Sequence, residues 1–398
     1  MSEMFGRMPI YNICNVLFIV FNIACALSNS MGMLIAFRLL AGCAGASPLT
    51  LGGGTIADMF PPEQRAGAMA IYSMGPLLGP IIGPVCGGFL VESLSWRWVF
   101  WILAIFGGVF GVSLAFVGRE TFHQTILNAK VARLRKETGN TQLRSKLNNG
   151  LLPKEVFARA IARPMKMLFL SPIVFLMSLY ISVNYGILYL FFTTMTFVFE
   201  GQYGFSSGAV GLAYLGMGVG MILGMGALGT LSDKNIKKHQ AKGNAKPEHR
   251  LPMFLTIPGA VSLPLSIFLY GWTTYYGVHW IGTSSHLSLN RVVLTATVPI
   301  IGTAFIGVGN LTAMMTIQTY LVDAFTVHAA SAIAANTVLR SVFGAVLPLA
   351  GLDMYDKLGL GWGNSLLGFV ALAFIPVPVM FRLYGERIRT NPKFQVQF

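Results

Sequence analysis

Ten stretches of the chain are almost free of charge: 9–29, 31–57, 66–91, 96–117, 168–197, 207–231, 252–273, 298–322, 329–352 and 363–384. A bilayer's hydrocarbon core takes about 20 mostly apolar residues per crossing helix, and each stretch reaches about that length. Backbone N–H and C=O groups find no water in lipid, so such stretches pair them internally, as helices. The pattern predicts an all-α, polytopic chain with ten complete transmembrane helices. The opening residues carry Glu3, Arg7 and Pro9 and do not read as a secretory leader.

Composition agrees. Of the 398 residues, 54% are hydrophobic and 11% charged, against about 25% charged in soluble domains. So few charges cannot cover a soluble protein of this size. The four cysteines, Cys14, Cys25, Cys43 and Cys86, lie inside apolar stretches without metal spacing; they read as small apolar fillers.

Charge sets orientation. The net charge of +14 would suggest nucleic acid on a soluble protein, but here it is a topology signal, and no nucleic-acid partner is expected. With the N-terminus inside, 23 of the 28 Lys and Arg residues fall on one side. Positive connectors stay cytoplasmic, so both termini are expected there. Only Arg97, Arg291 and Lys357 fall outside, and Arg38 and Arg340 lie within spans.

The basic connector 118–167 divides the spans into four and six. The halves echo each other. Ser2-Glu3 matches Leu231-Ser232-Asp233. Thr55-Ile56-Ala57-Asp58-Met59-Phe60 matches Tyr320-Leu321-Val322-Asp323-Ala324-Phe325, and Ala66-Gly67-Ala68-Met69-Ala70 matches Ala330-Ser331-Ala332-Ile333-Ala334. Echoes in order and on one membrane side indicate duplicated halves. The expected organisation is a partial N-terminal bundle (1–117), a cytoplasmic loop (118–167), a C-terminal six-helix bundle (168–384) and a tail (385–398).

Several of these residues carry a family resemblance. Ser2-Glu3-Met4-Phe5-Gly6-Arg7 resembles the cytoplasmic loop signature of the major facilitator superfamily. Arg38-Leu39-Leu40-Ala41-Gly42 resembles its fourth-helix motif. The run from Gly75-Pro76 through Gly79-Pro80 and Gly83-Pro84 to Gly87-Gly88 resembles its fifth-helix antiporter motif. Gly53–Glu63, Trp96–Trp101, Leu134–Gly139 and Asn336–Arg340 resemble the fungal drug:proton antiporter branch. The resemblance implies a two-bundle fold with sites near the midplane. It also implies that family helix 1 and most of helix 2 are missing before Met1, through a downstream start in the gene model or a true truncation. Residues 282–297 interrupt the pattern and read either as a translated intron or as an exterior loop.

The resemblance implies a cytoplasmic latch in which Glu3 and Arg7, beside Gly6, pair with Asp58 at a helix end. Asp233 and Asp323 form the second copy, expected to be weaker because no Gly-Arg follows Asp233. Gly75, Gly79, Gly83 and Gly87 recur every four residues, a spacing that lets helices approach closely. Pro76, Pro80 and Pro84 remove backbone donors and bend the helix, as a hinge and seal or as packing alone. Arg38 and Arg340 are intramembrane cations, which face protein or water rather than lipid. Asn184, Tyr185, Tyr189, Asn310 and Gln318 are possible cavity residues. Gly216-Met217-Gly218-Val219-Gly220 spells a nucleotide loop but lies inside an apolar helix without a preceding strand.

The expected function is proton-coupled efflux of drugs, secondary metabolites or other amphipathic small molecules by alternating access. The expected form is a plasma-membrane monomer driven by the proton gradient, without cofactor or metal. An inactive fragment and a membrane-embedded enzyme are the rivals. The latter would need a catalytic His or acid cluster, and none is readable.

Overall fold

The computed structural model describes residues 5–60, 62–140, 142–145, 153–241, 246–276, 288–325 and 329–391, and all regular structure among them is helical. The helices are α1 (Arg7–Ala26), α2 (Met31–Met59), α3 (Pro62–Ser93), α4 (Trp96–Val117), α5 (His123–Thr138), α6 (Pro153–Leu170), α7 (Pro172–Tyr203), α8 (Ser207–Ala241), α9 (Met253–Tyr276), α10 (Ser288–Ala324), α11 (Ala329–Val346), α12 (Gly351–Phe374) and α13 (Pro376–Thr390). The chain divides within α6 into two compact units, Met1–Ala158 and Arg159–Phe398.

Eight helical stretches among the described residues are long and apolar enough to cross a membrane. With their apolar flanks, they make this a multi-pass membrane protein. Phe116 and Val117 on α4 are 87% and 80% exposed, which suits lipid and not water.

Local chemistry places the helix ends. Ser30, Ser95 and Ser171 each cap a helix by accepting a backbone N–H, from Met33, Arg97 and Val174. Ser171 with Pro172 at the first helical position starts α7 four residues later than the hydropathy pattern suggests. Gly204 ends α7 in the left-handed region. The turn between the last two apolar stretches falls at Gly359, whose φ of 72° and ψ of 167° break α12. The segment 282–297 falls partly outside the described residues, but from Ser288 onward it is the beginning of α10 and not a loop.

In the first unit α1 packs against α2 and α4. Asn15 Nδ2 donates to the Gly107 carbonyl at 3.1 Å, and Gly111 leaves room for that amide. In the second unit α10 lies against α8 and α9, α7 against α11, and α9 against α12. Tyr180, Ile181, Ile317, Tyr320, Leu321 and Phe381 form part of its buried core.

Gly216, Gly220 and Gly224 are the contact between α8 and α10. A Cβ at Gly220 would collide with the Ala304 carbonyl, and one at Gly307 with the Met217 carbonyl. The run that spells a nucleotide loop is therefore a close backbone crossing. The α3 ladder is different. Helix α3 runs unbroken through Pro76, Pro80 and Pro84. A Cβ at Gly75, Gly79, Gly83 or Gly87 would meet nothing within 4 Å. The close approach expected of that face is not made within the first unit.

Candidate functional site: helix-end ion pairs and an intramembrane cation

The start of α1, the end of α2 and the connector after α4 meet at one point. Arg7 Nε lies 3.1 Å from Asp58 Oδ2, and both side chains are mostly shielded, at 12% and 16% exposure. Gly54, one turn before Asp58, makes room, since a Cβ there would sit 2.8 Å from the Arg7 guanidinium. The guanidinium also lies over the Phe122 ring, 5.2 Å from its centroid. Tyr11 and Thr55 share a hydroxyl hydrogen bond of 3.0 Å one turn further into α1.

Glu120 organises the cluster. Gly6 precedes α1 with φ 96° and has no side chain to cap it. The Glu120 carboxylate takes that role from 113 residues away, accepting the Arg7 N–H at 2.8 Å and the Met8 N–H at 3.2 Å. It also accepts from Thr121 at 3.0 Å and Phe122 at 2.9 Å. A carboxylate at a helix N-terminus gains from the helix dipole as well. Burial pushes the Glu120 carboxyl up, but the four backbone donors outweigh it and hold it below the usual range. Gly6 serves twice, since its φ suits glycine and a Cβ would strike the Glu120 carboxylate.

The second unit carries a counterpart. Arg250 Nε is 2.6 Å from Asp323 Oδ2. Asp323 thus has an arginine, brought by the 3-10 turn Pro247–Arg250 before α9 and not by the residues after Asp233. The signal was readable: Arg250-Leu251-Pro252 opens an apolar run just as Arg7-Met8-Pro9 does. The neighbouring Glu248 is 4% exposed. Its carboxylate accepts from Arg389 at 3.3 Å, and its carbonyl from Arg382 at 2.7 Å. His249 stacks on His239, 3.7 Å between centroids. Burial, His239 and Arg382 hold its imidazole below its ordinary range. Glu3, and the side chain of Asp233, lie outside the described residues.

The intramembrane residues divide. Arg340 on α11 sits over the Tyr185 ring of α7, 4.8 Å from its centroid. Its Nη1 reaches the Met314 sulfur of α10 at 3.7 Å, and its Nε is buried without a partner among the described residues. The Tyr185 hydroxyl donates to Tyr189 at 3.1 Å. Asn310 instead donates its amide to the Asn184 backbone carbonyl at 2.8 Å, tying α10 to α7; that contact is packing. Gln318 is half-buried. Arg38 stacks over Phe100 of α4, 5.6 Å from its centroid. Glu120, Arg250 and Gly54 are the site residues that reading the motifs alone missed.

Helix-end ion pairs recur in the two units of a multi-pass membrane protein. Residues 1–348 match the Major Facilitator Superfamily, and the chain belongs to that family. It is 55% identical over 399 residues to the MFS-type transporter penM of Penicillium rubens, covering 100% of this chain and 75% of that one. It is 48% identical over 400 residues to the efflux pump radE of Floropilus chiversii, covering 100% and 71%. Among solved structures, a POT family transporter in complex with 5-aminolevulinic acid aligns with TM-score 0.64 at 15% identity, covering 98% and 84%. A D-xylose-proton symporter aligns with TM-score 0.60 at 16% identity, covering 95% and 83%. These relatives are transporters, which points away from an enzyme.

Proposed function

We propose that the chain exports small organic molecules in exchange for protons by alternating access. The observation that carries this reading is the pair of matching contacts, Arg7–Asp58 and Arg250–Asp323. Each ties the start of one helix to the end of the next, where a rocking bundle would open or close. An ion pair at such a joint breaks and reforms as bundles move, and so biases two states. No Asp or Glu lies mid-span in the sequence. Proton coupling then falls to helix-end carboxylates, Asp58 and Asp323 first. The efflux pump radE and the D-xylose-proton symporter support export and proton use respectively.

Ten crossings fit the helices. The stretch Ala329–Thr390, 62 residues long, would run about 93 Å at 1.5 Å per residue, enough for two crossings that turn at Gly359. Helix α3 supplies another, with 32 residues. Both ends of the chain and the basic connectors then lie in the cytoplasm, in the plasma membrane, with the protein acting as a monomer and without cofactor.

The test is efflux of two dyes, fluorescein and rhodamine 6G, from yeast expressing the protein, with and without a protonophore. At least one dye is expected to leave faster than from control cells, and the protonophore should abolish the difference. Asp58→Asn should lower efflux at least tenfold. The charge swap R250D/D323R should recover part of what R250D loses. Efflux indifferent to the protonophore would remove proton coupling, and no efflux of either dye would remove export.

A further inference from the structure

The geometry points to a binding site for organic anions at Arg340, with Tyr185, Tyr189 and Phe192 as its aromatic wall. This deepens the export reading by naming a substrate class, though binding itself does not depend on export. The guanidinium sits in the middle of a long apolar stretch, where an isolated charge is costly. Its partners within the second unit are soft. A thioether sulfur is a weak acceptor, and an aromatic face attracts a cation without neutralising it. The buried Nε–H has no acceptor among the described residues.

No described carboxylate of this unit's spans is among the contacts of Arg340; Asp353 and Asp356 are exposed, thirteen and sixteen residues beyond it in the chain. Glu200 lies fifteen residues beyond Tyr185 on α7, about 22 Å at 1.5 Å per residue. Asp323 lies nine residues beyond Met314, about 13 Å, and is already paired with Arg250. One turn before Arg340 on α11, Asn336 is 0% exposed with both amide atoms unpartnered. The site therefore holds polar capacity that the described protein leaves unused; Asn336 offers both a donor and an acceptor, and the charge of Arg340 sets the sign.

A carboxylate or phosphate, with two oxygens side by side, is the group a guanidinium fork binds best, and the planar carboxylate is the one that an aromatic organic acid carries. The wall beside it is aromatic. Tyr185 and Tyr189 lie 4.6 Å apart, and Phe192 packs edge-on against Tyr189 at 5.7 Å. Tyr189 is 38% exposed, so part of its side chain is left uncovered by this unit. The ligand class is an amphipathic organic acid whose ring stacks on Tyr189 while its anion meets Arg340. A cationic amphiphile of the same shape is repelled.

Fluorescein and rhodamine 6G share a xanthene ring and carry opposite charge, so they separate charge from shape. The experiment measures fluorescence anisotropy of each dye with the purified full chain in nanodiscs of neutral phosphatidylcholine. Fluorescein should bind at least tenfold more tightly than rhodamine 6G. Arg340→Gln should weaken fluorescein at least tenfold, Arg340→Lys should retain part of the affinity, and neither should tighten rhodamine 6G beyond a few-fold. If Arg340→Gln does not fold, the wild-type preference and Arg340→Lys still decide. Equal affinity for the two dyes, no binding of either, or fluorescein binding indifferent to Arg340→Gln overturns the assignment. Fluorescein bound but not exported would keep the site and remove export. Rhodamine 6G exported without need of Arg340 would keep export and remove the site.

Discussion

Glu120 fastens four backbone N–H groups with one carboxylate, two from its own connector and two from the first turn of α1. Because its folded pKa lies below the ordinary one, its contribution is complete above about pH 4.3. That contribution fades as the pH falls through the lower, folded value. Replacing a capping acceptor costs about 0.5–2 kcal/mol. Glu120→Ala should therefore lower thermal stability in detergent at pH 7, and the gap from wild type should close on acidification. A gap that does not change with pH would show that Glu120 acts by packing. Nothing in the sequence marks this residue, because the helix start it caps stands 113 positions away. Arg7 and Asp58 were readable from the motif. That Gly54 clears the path between them was not, because a missing Cβ matters only once another side chain lies across it.

At the scale of helices, glycine spacing has two meanings that look alike in sequence. On α8 the period of four at Gly216, Gly220 and Gly224 is a contact with α10. On α3 the same period at Gly75, Gly79 and Gly83 touches nothing within its unit. Overpacking a tight contact costs about 1–3 kcal/mol or more, so Gly220→Leu should sharply reduce folded protein recovered in detergent. Gly79→Ala should leave stability unchanged or slightly higher, since alanine is the better helix former. Equal damage from both would contradict the geometry. The spans at 9–29, 31–57, 96–117 and 252–273 match α1, α2, α4 and α9 to within three residues, whereas α8 runs on to Ala241 and the stretch 329–390 is divided at other points than hydropathy gives. Ser171 and Pro172 delay α7, and the helical start of α10 at Ser288 takes in residues that looked like a loop.

For the whole molecule, the asymmetry of Lys and Arg predicts which side each connector occupies. Lys130 on α5 lies in the most basic connector, exposed to solvent. A cysteine at that position, in a chain whose four native cysteines are replaced by alanine, should react with an impermeant maleimide only after cells are permeabilised. Labelling of intact cells would invert the topology and, with it, the direction of transport. The duplicated halves were visible as echoes around Asp58 and Asp323. Their equivalence is closer than the echoes alone suggest, since each aspartate meets an arginine that opens the apolar run of another helix.

Burial in hydrocarbon and the pairing of every backbone group leave uninterrupted apolar runs of about 20 residues one form, helices across a membrane, and the family resemblance lies in motifs along the chain. Those are properties of single segments, so the amino-acid order decides them unaided. Which carboxylate caps α1, which arginine answers Asp323, which glycines are contacts and what surrounds Arg340 depend on residues distant in the chain arriving at one place. Contacts of a few ångströms between different helices leave no period in the sequence, and only the packed molecule sets them.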